Sequence, residues 1–143
     1  ELLANAWSMA QEVEKSMVEM EKAAEKSDEG DLFARLSAIY MLNDRYEDSI
    51  DAAREALDKG VERADQVYLR MGTAYVNLEQ YDDAIETLKE AAKDKRSEEA
   101  AKQWISFAEK EKAREEKARK EEERYQERKR KWEEEDGLVL PGA

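Results

Sequence analysis

The chain repeats itself at a distance of 35 residues. Phe33, Leu36, Ser37, Tyr40, Tyr46, Ser49, Ala53 and Ala56 are answered in order by Tyr68, Met71, Gly72, Tyr75, Tyr81, Ala84, Leu88 and Ala91. A fixed period of this size marks a stack of like supersecondary units, each too small to bury its apolar face alone. Asn43-Asp44-Arg45 and Leu78-Glu79-Gln80 break the helical pattern at the same place in each unit and supply a short turn. Small residues recur at the same place in each unit: Ser37 and Gly72 before the turn, Ser49 and Ala84 after it. With one Pro and five Gly in the chain, the expected fold class is all-α.

Within Tyr68–Ala91, the order aromatic, Met-Gly, Tyr, then aromatic, Ala, Leu and Ala resembles the signature of the tetratricopeptide repeat (TPR) family. The resemblance implies a TPR-type α-α superhelix of antiparallel helix pairs, crossing closely at small residues such as Gly72 and Ala84 with Tyr75 and Tyr81 filling the gaps, that binds protein segments and has no catalytic role. The unit before it departs at Ser37 for Gly and Ser49 for Ala, both small. Val61 and Arg96 stand where many repeats carry Pro. The implied organisation is a partial unit at 1–29, units at 30–64 and 65–99, a capping helix with a charged extension at 97–136, and a tail at 137–143.

Upstream the repeat is incomplete. Val13, Ser16, Met20 and Ala23 precede Tyr46, Ser49, Ala53 and Ala56 by 33 residues, and Leu3, Ala4 and Trp7 precede Leu36, Ser37 and Tyr40. Helices are therefore expected near 2–10 and 11–26. The chain is expected to be a piece of a longer protein, because it begins inside a repeat. Ser27, Asp28, Gly30 and Asp31 form the next break, with Gly30 suited to a helix C-terminus and the polar residues to capping. Further helices are expected near 31–43, 47–59, 65–78 and 82–94, and Gly60 should end the fourth of these six elements in the repeat order.

After Ser97 the repeat gives way to one apolar face, Ala100, Ala101, Trp104, Ile105 and Ala108, which suits the closing helix of an array. No helix breaker follows until Gly137, so a helix of about 60 Å is expected over 97–136 at ~1.5 Å per residue. Glu115–Arg119, Glu116–Lys120 and Glu127–Lys131 are spaced for i,i+4 ion pairs. Ala118, Tyr125 and Trp132 recur every seven residues, but Glu115, Glu122 and Lys129 spoil the other seam position of a coiled coil. Trp7, Tyr125, Trp132, Leu138 and Leu140 are candidate interface residues. Tyr125–Leu140 is expected to pack on another copy of the chain, giving a possible homo-oligomer.

Composition narrows function. The chain has neither Cys nor His, which removes disulfides, thiolate or imidazole metal sites and His-based triads. A net charge of −12 argues against nucleic acid or an anionic membrane surface as partner. No stretch is apolar for long enough to span a bilayer. Glu47/Asp48 and Asp82/Asp83 are paired carboxylates without an accompanying nucleophile or glycine loop, so no enzyme, cofactor or metal is expected. Asp28, Glu29 and Asp31 lack the spacing of an EF-hand.

The TPR resemblance implies a concave groove lined by the first helix of each pair. Its lining would be Asn5, Ser8 and Met9, then Ala34, Ala38, Met41 and Leu42, then Leu69, Thr73, Val76 and Asn77, with Trp104 from the cap. Leu42 and Leu69 could equally be core. Ala34, Ala38, Leu69 and Thr73 occupy positions where one TPR subclass clamps a C-terminal carboxylate, so that clamp is absent. Arg35 and Arg70, one repeat apart, are expected to pair with acidic neighbours. Two functions follow: a scaffold binding a peptide or protein in the groove, or an assembly module joined through the C-terminal helix. The WISFAEKEKA stretch and the Lys/Glu-rich ending resemble the ends of bacterial TPR proteins associated with TonB–ExbB–ExbD systems. That resemblance would place the chain in the periplasm.

Overall fold

A computed structural model describes residues 2–27 and 29–137. Leu138, Val139 and Leu140, with the packing expected of them, lie outside the described residues, as does Asp28. Six helices are seen: α1 (Leu2–Lys26), α2 (Gly30–Leu42), α3 (Tyr46–Lys59), α4 (Ala64–Asn77), α5 (Tyr81–Ala92) and α6 (Lys95–Asp136). No strand occurs among the described residues. Two compact units divide the chain, residues 1–108 and 109–143.

In the first unit α2 packs on α3, α4 on α5, and α3 and α4 join the two pairs. The two turns within the pairs are built alike. Asp44 (φ 58°) and Glu79 (φ 59°) take the left-handed conformation just past the end of α2 and α4. The next amide, of Arg45 or Gln80, donates to the carbonyl of Tyr40 or Tyr75 at 2.9 Å in each case. The Asp44 and Glu79 amides donate to Met41 and Val76. These are the two bonds of a Schellman motif, here made without glycine.

The helices cross closely at the small residues. Ser37, Ser49, Ala53, Ala56, Ala84, Leu88 and Ala91 are all fully buried. Leu36, Tyr40, Ile50, Val67, Met71, Ala74 and Tyr75 complete the core around them. A Cβ on Gly72 would lie 2.5 Å from Leu88 Cγ, so the crossing of α4 and α5 needs glycine there. Gly60 ends α3 with φ 93°, as expected. Gly30 does not end α1. It is the first residue of α2 and is buried, because a Cβ there would meet the Ala56 and Gly60 carbonyl oxygens at 2.5 Å.

The two helices expected near 2–10 and 11–26 are one. Ala10, Gln11 and Glu12 stand where the other pairs turn, and all three favour helix. α1 therefore runs straight on, and among the described residues nothing packs on its N-terminal half. Residues 3–16 are all exposed, with Leu3 at 77% and Trp7 at 71%. The C-terminal half packs on α2 through Met17 and Ala24, while Arg45 bonds Glu14 and the Tyr40 hydroxyl lies 3.5 Å from Glu21.

α6 begins at Lys95, where the Asp94 carboxylate accepts from the Arg96 amide at 2.9 Å. Within the first unit, Ala101 and Ala108 are fully buried, and Trp104 and Ile105 pack against the core. The second unit is the charged remainder of α6. Lys120 pairs with Glu116 as expected at 3.3 Å, whereas Arg119 takes Glu123 at 2.7 Å rather than Glu115.

Candidate protein-binding groove

The first helices of the two complete pairs, α2 and α4, lie side by side. Between them runs a cleft of about 320 Å³, lined by Asp31, Ala34, Arg35 and Ala38 of α2, by Val61, Glu62 and Arg63, and by Gln66, Val67 and Arg70 of α4. Ala34 and Ala38 are small, so their helix turn leaves room for another chain to approach. Met41 and Leu69 are half-buried against the core and do not line the cleft, and Leu42 is exposed at 84%.

Arg70 does not pair with an acidic neighbour. Its Nη1 donates to the Ala34 carbonyl at 3.2 Å across the two helices, and among the described residues no carboxylate lies within ion-pair distance. Burial pulls its pKa below the usual arginine value, because a guanidinium removed from water with no counter-ion is disfavoured in its charged form. Arg35, exposed beside it, likewise has no ion-pair partner among the described residues. Arg63, which the sequence reading passed over, is committed elsewhere. It binds Asp65 with two hydrogen bonds of 2.9 and 2.8 Å. Asp65 is buried, accepts from the Ser97 hydroxyl at 2.6 Å, and so ties the start of α4 to the start of α6. Glu62, Gln66 and Arg63 were missed because their role depends on the α3–α4 connection, which departs from the helical pattern.

The remaining expected lining residues divide. Thr73 is half-buried but its hydroxyl donates to Leu69 of its own helix at 2.8 Å, and exposed Asn77 donates to Thr73 at 2.9 Å. Val76 is buried at 8% and belongs to the core, not the cleft. Trp104 is half-buried against the core, its ring edge-on to Phe107. Asn5, Ser8 and Met9 are exposed on the N-terminal half of α1. Since α1 makes no turn at Gln11, they are not brought beside α2, and the cleft is formed without them.

A second cleft, of about 440 Å³, opens on the other side of α2, above Phe33, Leu36 and Tyr40. Its rim is acidic: Glu21, Glu25, Asp48, Asp51 and Glu55, with Arg54. Arg45 stacks 4.9 Å over the Tyr40 ring nearby, and the Tyr40 pKa is raised, first by burial and then by the Glu21 charge. Among the described residues no group of acidic side chains is arranged to hold a metal ion, and no helix is long and apolar enough to cross a membrane.

This is a TPR-like helical repeat fold. The crystal structure of MamA protein, a TPR-like helical protein, superposes with a TM-score of 0.63 over 90% of this chain and 70% of that one, at 19% sequence identity. No protein-family model matches the chain, and no curated protein matches it.

Proposed function

We propose that the chain is a non-catalytic protein-interaction scaffold that takes a peptide or protein segment in the groove between α2 and α4. The observation that carries this reading is Arg70. It is a half-buried cation in an open cleft, in no ion pair among the described residues, facing the small Ala34 and Ala38 of α2. An acidic side chain or a chain-terminal carboxylate from a partner would supply the missing counter-charge and two parallel hydrogen bonds. Leu42, exposed at the end of α2, would offer an apolar contact to a longer partner segment. The TPR-like fold supports the same class of function. Nucleic acid is not the partner in this reading, because the chain carries a net −12 charge.

Random linear peptides displayed against the immobilised chain test it. Acidic residues should be enriched among the binders. Arg70→Ala should weaken them at least ten-fold, and Ala38→Trp, which fills the cleft, should abolish binding. Binders indifferent to both substitutions would contradict the groove reading.

A second reading, assembly through the C-terminal helix, is favoured by Tyr125 and Trp132. They stand seven residues apart at 36% and 42% exposure on the highly charged part of α6 that follows Ala108. The likeness of the WISFAEKEKA stretch to TonB–ExbB–ExbD-associated proteins rests on sequence alone.

A further inference from the structure

The apolar stripe that seats α1 on α2 continues beyond the contact. Leu3, Ala6, Ala10, Val13, Met17, Met20 and Ala24 recur at alternating spacings of three and four residues. On one helix this holds them within an arc of about 100°. In the C-terminal half the stripe is packed: Met17 and Ala24 are buried against α2, and Met20 is half-buried. In the N-terminal half its four residues are exposed. Trp7 and Met9, also exposed, flank its centre at about 80° to either side. Asn5, Ser8, Gln11 and Glu12 lie about 120° or more from that centre, on the far side of the helix.

From Leu3 to Val13 the stripe is complementary to itself. Its spacing of three, four and three reads the same in both directions. Two antiparallel helices therefore lay Leu3 of each against Val13 of the other, and Ala6 of each against Ala10 of the other. All four residues stay on the one face that the helices share, and the two-fold axis passes at the level of Ser8. Ala6 and Ala10, one to each side of the axis, let the backbones approach closely. Residues 3–11 carry no charged side chain in a chain that is 43% charged, so no like charges meet at the contact. The packed body of each copy begins at the outer end, where Arg45 bonds Glu14. An antiparallel pair keeps the two bodies apart, whereas a parallel one would set two chains of net −12 charge side by side.

We propose that residues 3–13 of α1 pair antiparallel with the same residues of a second copy, along the seam of Leu3, Ala6, Ala10 and Val13. The contacts are reciprocal, as a two-fold interface requires, and alternating spacings of three and four are those of a two-helix seam. One stripe then serves two neighbours, α2 within the chain and the second copy's α1 beyond it. On one flank of the seam the two Trp7 rings come together, and on the other the two Met9 side chains. Each ring can bury roughly 150–250 Å². The paired segment is about 16 Å long at ~1.5 Å per residue. That is short beside permanent interfaces, so the dimer forms and dissociates with concentration. It does not depend on the groove reading, and it uses a different helix from the assembly reading at Tyr125 and Trp132.

The chain has no cysteine, so introduced thiols report cleanly. Full-length Leu3→Cys and Val13→Cys variants, mixed and treated with a short bifunctional thiol reagent, should give a covalent dimer containing one of each. Either variant alone should give none, because its two thiols stand at opposite ends of the pair. Sedimentation of the unmodified chain should show a reversible monomer–dimer equilibrium. Trp7→Ala should raise its dissociation constant at least ten-fold, and Ala10→Glu should abolish the dimer, both with cooperative melting of the chain retained. A monomer at every concentration overturns the proposal. So does a cross-link formed by Leu3→Cys alone, which would mean a parallel pair, or by Ser8→Cys alone, which would mean that the opposite face is the seam. A dimer that survives Ala10→Glu and is lost in Tyr125→Ala/Trp132→Ala also overturns it and assigns assembly to the C-terminal helix.

Discussion

Ser37 and Ser49 each donate to the other's backbone. The Ser37 hydroxyl reaches the Ser49 carbonyl at 2.9 Å, and the Ser49 hydroxyl reaches the Ser37 carbonyl at 2.8 Å, with both residues fully buried. The pair fastens α2 to α3 at the point where Gly72 and Ala84 let α4 and α5 touch directly. Each serine replaced by alanine should cost about 0.5–1.5 kcal/mol, the net worth of a buried hydrogen bond. The double variant should cost less than the two singles together, since the hydroxyls also contact one another. Urea denaturation of the three variants checks this. Strict additivity would mean the two bonds are independent.

Gly72 has no room for a methyl group. Its Cβ would stand 2.5 and 2.6 Å from two carbons of Leu88, which is itself fully buried. Gly72→Ala should destabilise the first unit by about 1–3 kcal/mol through overpacking. Leu88→Ala should cost roughly 2–5 kcal/mol by opening a cavity. Combined, they should cost less than both separately, because the new methyl enters the space that Leu88 leaves. Thermal melts of the three variants decide it, and an unchanged melting temperature for Gly72→Ala would mean that α4 and α5 do not cross there.

Glu79 is strained for no visible benefit from its side chain, which is exposed. At φ 59° it occupies a conformation that costs most L residues about 1–2 kcal/mol. Glu79→Gly should therefore raise stability by up to ~1 kcal/mol, part of the relief being lost to the greater freedom of the unfolded glycine. The denaturation midpoint should rise with its slope unchanged. A fall in the midpoint would mean that the turn depends on the glutamate.

The Asp65 carboxylate is held well below the usual range. The two hydrogen bonds from Arg63 act most strongly, opposed by burial and helped by the Ser97 hydroxyl and the Arg63 and Arg96 charges. A depressed folded pKa stabilises the fold above the unfolded value, about 4, and that stability is lost as pH falls below it. At neutral pH, Asp65→Asn should cost about 1–3 kcal/mol, the range for unmaking hydrogen bonds to a buried charged group, moderated because both arginines are partly in water. The difference between the two proteins should shrink steadily below about pH 4. A difference that is constant from pH 7 to pH 3 would contradict the ion-pair account.

The repeat was legible because its signal is redundant. Eight matched positions, from Phe33/Tyr68 to Ala56/Ala91, place four helices and their crossings, and each helix ended within about two residues of its expected bounds. The N-terminal region misled because the match of Leu3, Ala4 and Trp7 to a first helix says nothing about the turn after it. That turn depends on residues 10–12, where good helix formers win over the repeat. The cleft between α2 and α4 was half legible. Ala34 and Ala38 follow from register, but whether Arg70 meets a carboxylate depends on side-chain reach across α2 and α4, and Val76 differs from its neighbours only by how the helix is rotated. Asp65 and Ser97 lie 32 residues apart with no pattern joining them, so their bond could be seen only in the fold.

Amide chemical-shift mapping tests the scaffold reading most directly. An acidic peptide selected by display would be titrated into the isotope-labelled full chain. Perturbations should concentrate in α2 and α4, at Ala34, Arg35, Ala38, Arg70 and Thr73, and weaken as salt is raised. Perturbations confined to α3 and α5, or none at all in α2 and α4, would contradict binding in the groove.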